Sequence, residues 1–133
     1  MKIIPYGKQF IDNNDIKAVT GALKLDKITT GKFVEKFEKK INEFLKCKYS
    51  ATCNSGTSAL FLALVAVNIK KNDIIIMPSI NFIASYNISA LLGAKIYLAD
   101  VNRQTGQMTL ENIIECCKKY KIKKVKAIIT MYN

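Results

Sequence analysis

Cys53-Asn54-Ser55-Gly56-Thr57-Ser58-Ala59-Leu60 is a polar, glycine-containing turn set between two apolar segments. Before it, residues 49–53 lean apolar and read as a strand. After it, residues 59–67 (Ala-Leu-Phe-Leu-Ala-Leu-Val-Ala-Val) are rich in helix formers and too apolar for a surface helix. The turn therefore ends a strand and opens a buried helix. Gly56 permits close backbone approach, Ser55, Thr57 and Ser58 supply hydroxyls, and the first amides of a helix have no acceptor within it. Two readings fit these parts. One is an ordinary N-cap, with Ser55 or Thr57 satisfying free amides. The other is a cradle for an anion such as phosphate.

Outward from the turn, strand and helix alternate. Ile74-Ile75-Ile76-Met77 is continuous, apolar and β-branched, as expected of a strand covered on both faces. Pro78-Ser79 ends it. Residues 82–92 read as a helix closed by Gly93, 95–99 as a strand, and 100–107 as a polar loop. Thr109 caps a helix that runs to about Tyr120, and 125–131 is a fourth strand. This alternation implies an α/β fold, a mostly parallel sheet with helices on both faces.

On the amino-terminal side, residues 1–9 read as extended. Asp12-Asn13-Asn14-Asp15 signals a helix start, with Ile16, Val19, Ala22 and Leu23 at helical spacing behind it. Residues 25–31 form a loop that carries Thr29, Thr30 and Gly31. Residues 32–45 are a second helix, with Phe33, Phe37, Ile41, Phe44 and Leu45 on one face. The chain thus divides into an N-terminal helical segment, 1–48, and the first half of an α/β domain, 49–133. It stops at Tyr132-Asn133, directly after a strand, where a parallel sheet still needs a covering helix; the expectation is an N-terminal piece of a longer protein.

Composition excludes several function classes. The longest apolar run, residues 59–67, is about half of what a bilayer requires, and the N-terminus lacks the apolar core of a signal peptide. The expectation is a cytoplasmic protein with no membrane partner. The formal net charge is +11 over 133 residues, yet Arg103 is the only arginine. Lys118, Lys119, Lys121, Lys123, Lys124 and Lys126 form the one dense cluster, at a helix end, and read as a solvated face. Bases are gripped by arginine forks and stacked aromatics; neither pattern is visible, so no nucleic-acid partner is expected. The cysteines Cys47, Cys53, Cys116 and Cys117 form no C-x-x-C pair, and there is no histidine. A zinc site and a Ser-His-Asp or Cys-His mechanism are therefore excluded. Asp100, Asn102, Gln104 and Glu111 fall at EF-hand-like offsets, but Thr105 stands where that loop needs glycine. Asp100 reads instead as a loop-capping carboxylate, with Thr105-Gly106 making the turn.

In folds of this class, ligands bind beyond the carboxyl ends of the strands. Three polar turns sit there: 54–58, 79–82 and 100–106. The first can hold a phosphate. The second presents Phe82, either a core aromatic or a platform for a ring.

The ordered series Ile4-Pro5-Tyr6, Thr29-Thr30-Gly31, Asn54-Ser55-Gly56-Thr57-Ser58-Ala59-Leu60, Met77-Pro78-Ser79-Ile80-Asn81-Phe82-Ile83-Ala84, Leu92-Gly93-Ala94-Lys95 and Ala99-Asp100-Val101 resembles the DegT/StrS family of sugar aminotransferases. The resemblance covers essentially the whole chain. It implies the large domain of the aspartate-aminotransferase-like architecture (fold type I) and pyridoxal 5'-phosphate (PLP) as cofactor. It assigns Thr57 and Ser58 to the cofactor phosphate, Gly56 to close approach, and Phe82 to stacking on the pyridine ring. Tyr6, Thr29 and Thr30 fall near the sugar-nucleotide site of such enzymes. The turn departs from the usual Ser-Asn order, having Asn54 and then Ser55. The family's Schiff-base lysine and the aspartate that pairs with the pyridine nitrogen lie beyond Asn133, so the catalytic residue is absent and the chain alone should not transaminate. The implied parent is a homodimeric transaminase that moves an amino group, from glutamate as donor, onto a nucleotide-linked keto sugar for amino-sugar or surface-polysaccharide synthesis. Two alternatives remain: a dehydratase of the same family with histidine in place of that lysine, and a non-catalytic phosphate- or nucleotide-binding α/β fragment.

Overall fold

A computed structural model describes residues 7–131. Its contacts divide the chain into two compact units, one up to Thr52 and one from Cys53 onward.

The first unit holds two helices. Helix α1, Asn13–Ala22, starts where the Asp-Asn-Asn-Asp run predicts. The Asp12 carboxylate accepts from the amides of Asn14 and Asp15, and Asp15 returns a bond to the Asp12 amide, a complete capping box. Helix α2, Lys32–Leu45, has its predicted bounds. Its apolar face is not buried, and Phe33, Phe37 and Phe44 all stay more than half exposed.

Residues 49–53 do not form the expected strand. Glu38 of α2 takes over the polar groups there. Its carboxylate accepts from the Thr52 amide at 2.8 Å and the Thr52 hydroxyl at 3.0 Å, and its carbonyl accepts from the Ser50 hydroxyl at 3.1 Å. Bonded in this way, residues 50–52 stay with the helical unit rather than pairing with the sheet.

The second unit is the α/β layer structure. Its elements are α3 (Gly56–Ala66), β1 (Ile74–Pro78), α4 (Ala84–Leu91), β2 (Lys95–Ala99), α5 (Leu110–Lys119) and β3 (Ala127–Ile128). The three strands are parallel in the order β2-β1-β3, with Ile74 opposite Lys95 and Ile75 opposite Ala127. The central strand is covered on both faces, as its continuous apolar run requires. Ile75 and Met77 join Leu64 of α3 and Ile69 on one face. Ile76 joins Ala99 and Cys116 of α5 on the other. The last strand is shorter than expected, two paired residues instead of seven, although bonds from Lys126 to Ile74 and from Ile129 to Ile76 extend the ladder on either side.

Two glycines make turns that need a left-handed backbone. Gly93 (φ +75°) closes α4, and an added Cβ there would meet Lys71 at 3.3 Å. Gly106 (φ +68°) closes the loop after β2, where the Asn102 side chain accepts from the amides of Gln104 and Thr105. The Asp100 carboxylate caps its own loop, accepting from the Val101 amide at 2.8 Å. Thr109 caps α5 through a capping box with Asn112.

Candidate functional site

Helices α4 and α5 link parallel strands and so run antiparallel to them; α3 enters β1 through the short loop 67–73, which sets its C-terminal end beside the start of β1 and its N-terminus toward the carboxyl edge. Leu64, the only buried residue of α3, anchors the C-terminal half of the helix against Ile75 and Met77.

Ser55 is the N-cap of α3. Its backbone is extended (φ −161°, ψ 159°) and its hydroxyl oxygen accepts from the Ser58 amide at 3.2 Å. The Ser58 hydroxyl donates to Asn54 Oδ1 at 2.7 Å and lies 3.0 Å from the Ser55 hydroxyl. With the Ser58 proton directed at Asn54, Ser55 is the donor in that contact. The inverted Asn54-Ser55 order thus has a structural use, since both side chains close on Ser58. Cys53 adds a thiol bond to the Ser55 carbonyl at 3.3 Å.

Capping leaves three donors of the turn uncommitted. The amides of Gly56 and Thr57, at the first two helical positions, have no acceptor in the helix. The exposed Thr57 hydroxyl enters no side-chain hydrogen bond with a described residue. An added Cβ at Gly56 would meet nothing within 4 Å, so the protein itself does not require glycine there. Such a position suits a backbone that something from outside approaches closely. No charged side chain occurs in residues 53–58 or 79–83, so no carboxylate in these loops opposes an anion.

The second loop, 79–83, follows β1. The Ser79 amide is held by the Ala99 carbonyl at 2.8 Å and the Ser85 amide by the Phe82 carbonyl at 3.2 Å. The Phe82 ring is 71% exposed, which excludes the core reading for this aromatic. It precedes α4 by two residues instead of opening it. Beside it, Asn81 Nδ2 is buried without a hydrogen-bond partner, a costly state unless a ligand or water supplies the acceptor. Sequence reasoning did not single out Asn81; its only signal was its place directly before Phe82 in the polar turn.

The remaining candidates are placed elsewhere. Thr29 and Thr30 lie in the loop between α1 and α2, in the other unit, where Thr30 borders a hollow formed with Leu23, Ile28 and Phe33. Tyr6 lies outside the described residues. Among the described residues no cluster of His, Cys, Asp or Glu could hold a metal ion, and no helix is long and apolar enough to cross a membrane.

The second unit thus presents a three-strand parallel α/β layer with an uncommitted helix N-terminus and an exposed aromatic in its loops, a partial α/β domain whose open loops suit a phosphate and a ring. Comparison with known proteins makes this specific. The family model of the DegT/DnrJ/EryC1/StrS aminotransferase family matches residues 9–131; the chain belongs to this family. It is 39% identical over 99 residues, 74% of this chain and 26% of the relative, to a UDP-4-amino-4,6-dideoxy-N-acetyl-beta-L-altrosamine transaminase of Campylobacter jejuni. It is 31% identical over 132 residues, 98% of this chain and 35% of the relative, to a GDP-perosamine synthase of Vibrio cholerae. The PLP form of a sugar aminotransferase from Streptococcus pneumoniae superposes with a TM-score of 0.78 at 25% identity, over 85% of this chain and 29% of that one. The chain therefore spans about a quarter to a third of the length of the relatives it matches. Pyridoxal phosphate is the cofactor of this family, and the uncommitted donors at Gly56, Thr57 and Asn81, with the open Phe82 face, fit it.

Proposed function

We propose that the complete protein is a PLP-dependent transaminase that moves an amino group, from glutamate as donor, onto a nucleotide-linked keto sugar for amino-sugar or surface-polysaccharide synthesis, acting as a cytoplasmic homodimer. The relatives' names, an altrosamine-nucleotide transaminase and a GDP-perosamine synthase, support the sugar-nucleotide class. PLP, when bound, supplies an electron sink that makes amino-group transfer possible.

The residues in hand would do the binding. The Gly56 and Thr57 amides, with the Thr57 hydroxyl, hold the cofactor phosphate at the positive end of α3. Ser58 supports them from behind by keeping Asn54 and Ser55 in the cap. To touch the phosphate directly, its hydroxyl would have to leave Asn54. Phe82 forms the wall against the pyridine ring, and Asn81 contributes a buried donor beside it. None of the twenty lysines matches the motif of the family's cofactor lysine, so these residues position a group that another part of the protein must join.

The observation that carries this reading is the Thr57 hydroxyl, left unengaged in a cap whose other hydroxyls are all bonded. Thr57→Ala should weaken binding of pyridoxamine 5'-phosphate about tenfold, the loss of one hydrogen bond to a charged group. Unchanged affinity in a folded variant would remove Thr57 from the phosphate site. Pyridoxamine 5'-phosphate is the better probe because it lacks the aldehyde that would react with surface lysines.

A further inference from the structure

The two edges of the sheet differ sharply in charge. At the amino edge three helix-to-strand loops meet: 67–73 before β1, 92–94 before β2 and 120–126 before β3. Their backbones are tied together. The Asn72 amide donates to the Gly93 carbonyl, the Lys95 amide to the Asp73 carbonyl and the Lys126 amide to the Ile74 carbonyl, each at 2.8 Å. Lys95 and Lys126 therefore flank β1 from either side at its first residues.

Lys70, Lys71, Lys95, Lys121, Lys123, Lys124 and Lys126 all lie on this edge, and all are exposed. Asp73 is the only carboxylate in the same loops, and it accepts from the Lys70 amide at 2.8 Å. Lys70, Lys124 and Lys126, with Asn68, Asn72 and Asp73, border a hollow of about 400 Å³. Apolar side chains stand at the same level: Val67 at the end of α3 is 51% exposed, and Leu91 at the end of α4 is 73% exposed. At the carboxyl edge, by contrast, the loops after β1 and before α3 carry no charge, and the loop after β2 carries Asp100 and Arg103. A lysine-rich composition scattered evenly would not segregate in this way.

We propose that the amino edge docks on an anionic lipid surface, with its lysine ammonium groups among the headgroup phosphates and Val67 and Leu91 reaching into the headgroup layer. Lysine is a point charge that needs no fixed partner geometry, which suits a fluid array of phosphates. Exposed apolar residues interspersed with lysines are the composition of interfacial binding. Nucleic acid fits less well. The edge has no arginine, and the nearest aromatic, Tyr120, is engaged with Tyr97 (centroids 5.1 Å apart) and with the Lys119 ammonium (5.3 Å). The sheet's two edges would then serve two purposes, a membrane contact below and a cofactor site above. The docking does not depend on the cofactor reading.

Co-sedimentation with vesicles tests it. The protein should pellet with vesicles that are one-third phosphatidylglycerol, remain in solution with pure phosphatidylcholine, and be released by salt. Each lysine at such a surface is worth about fivefold in partitioning. The triple variant Lys70→Gln/Lys124→Gln/Lys126→Gln should therefore lose on the order of a hundredfold, with its circular dichroism unchanged. A matched triple variant on α2, Lys36→Gln/Lys39→Gln/Lys40→Gln, should keep most of the binding. Equal losses in the two variants would reduce the effect to net charge and overturn the proposal, as would equal binding to both kinds of vesicle. Release by millimolar inorganic phosphate at constant ionic strength would mean a small-anion site instead. Single-stranded RNA that binds more tightly than the vesicles, through the same three lysines, would mean a nucleic-acid surface. Either result would also overturn it.

Discussion

Gly56→Ala separates what the fold needs from what a ligand needs. Gly56 is the first residue of α3, and an added methyl there would meet nothing within 4 Å. Its backbone is helical, so alanine incurs no left-handed strain. Replacing glycine in a compatible helical position narrows the unfolded ensemble and stabilises by about 0.4–1 kcal/mol. The variant should therefore unfold at slightly higher denaturant than the parent. An anion seated on the Gly56 and Thr57 amides would meet the new methyl at close range. A displacement that weakens one charge-assisted hydrogen bond by about 1.5 kcal/mol lowers affinity by roughly tenfold. Pyridoxamine 5'-phosphate titration followed by fluorescence, alongside urea denaturation, reads both quantities. A variant that is more stable and binds more weakly confirms the cradle. Undiminished affinity would show that the anion does not approach Gly56. Lost stability would show that Gly56 meets a neighbour that the structure does not place there.

Leu64→Ala should cost about 2–5 kcal/mol in urea denaturation, because Leu64 is the single buried anchor of α3 and packs on Ile75 and Met77; a cost below 1 kcal/mol would mean that α3 is not held by this face. The amides of Asp15 and Asn14 donate to the Asp12 carboxylate and hold its pKa below the usual aspartate value. A depressed pKa stabilises above the ordinary carboxylate range and is lost as pH falls through it, so helicity from α1 should decline on acidification and Asp12→Asn should flatten that decline. Burial, and to a lesser extent Cys117, push the Cys116 thiol up. Iodoacetamide should therefore modify the exposed Cys47 and Cys53 well before Cys116, as peptide mass mapping would show; equal rates would mean that α5 opens freely from β2.

Much of this was legible because local rules and packing agreed. The Asp12 and Thr109 caps, the Gly93 and Gly106 turns and the doubly covered Ile75-Ile76 pair each follow from side-chain chemistry within a few residues. Reading failed where a distant group decided the outcome. Residues 49–53 have strand-like composition, but the Glu38 carboxylate, 14 residues earlier than Thr52, takes the amide a strand would need. The helix 59–67 was expected to be buried, yet Leu62 and Val65 are close to half exposed. Its apolar circumference states that it is to be covered, without stating by what. At the site, the motif drew attention to hydroxyls as a set. Only coordinates show that Ser55 and Ser58 bond to each other and to Asn54 while Thr57 does not. Asn81 is not marked in the sequence, because burial of one amide nitrogen leaves no trace in composition or spacing.

The charge distribution bears on why the proposed cofactor edge is built from backbone and hydroxyls. A net charge of +11 could have supplied phosphate-binding lysines anywhere. Instead residues 53–58 and 79–83 carry none, and the ligands proposed for the phosphate are two amides and a neutral hydroxyl. A lysine in that loop would add charge to the proposed phosphate site, but its amine would also stand ready to react with an aldehyde brought there. A neutral cradle, charged only through the α3 dipole, would hold a phosphate without placing a reactive amine beside it. Within the second unit, Lys70, Lys71, Lys95, Lys121, Lys123, Lys124 and Lys126 stand at the edge opposite these loops, an arrangement that suits the proposed phosphate site as well as an anionic surface.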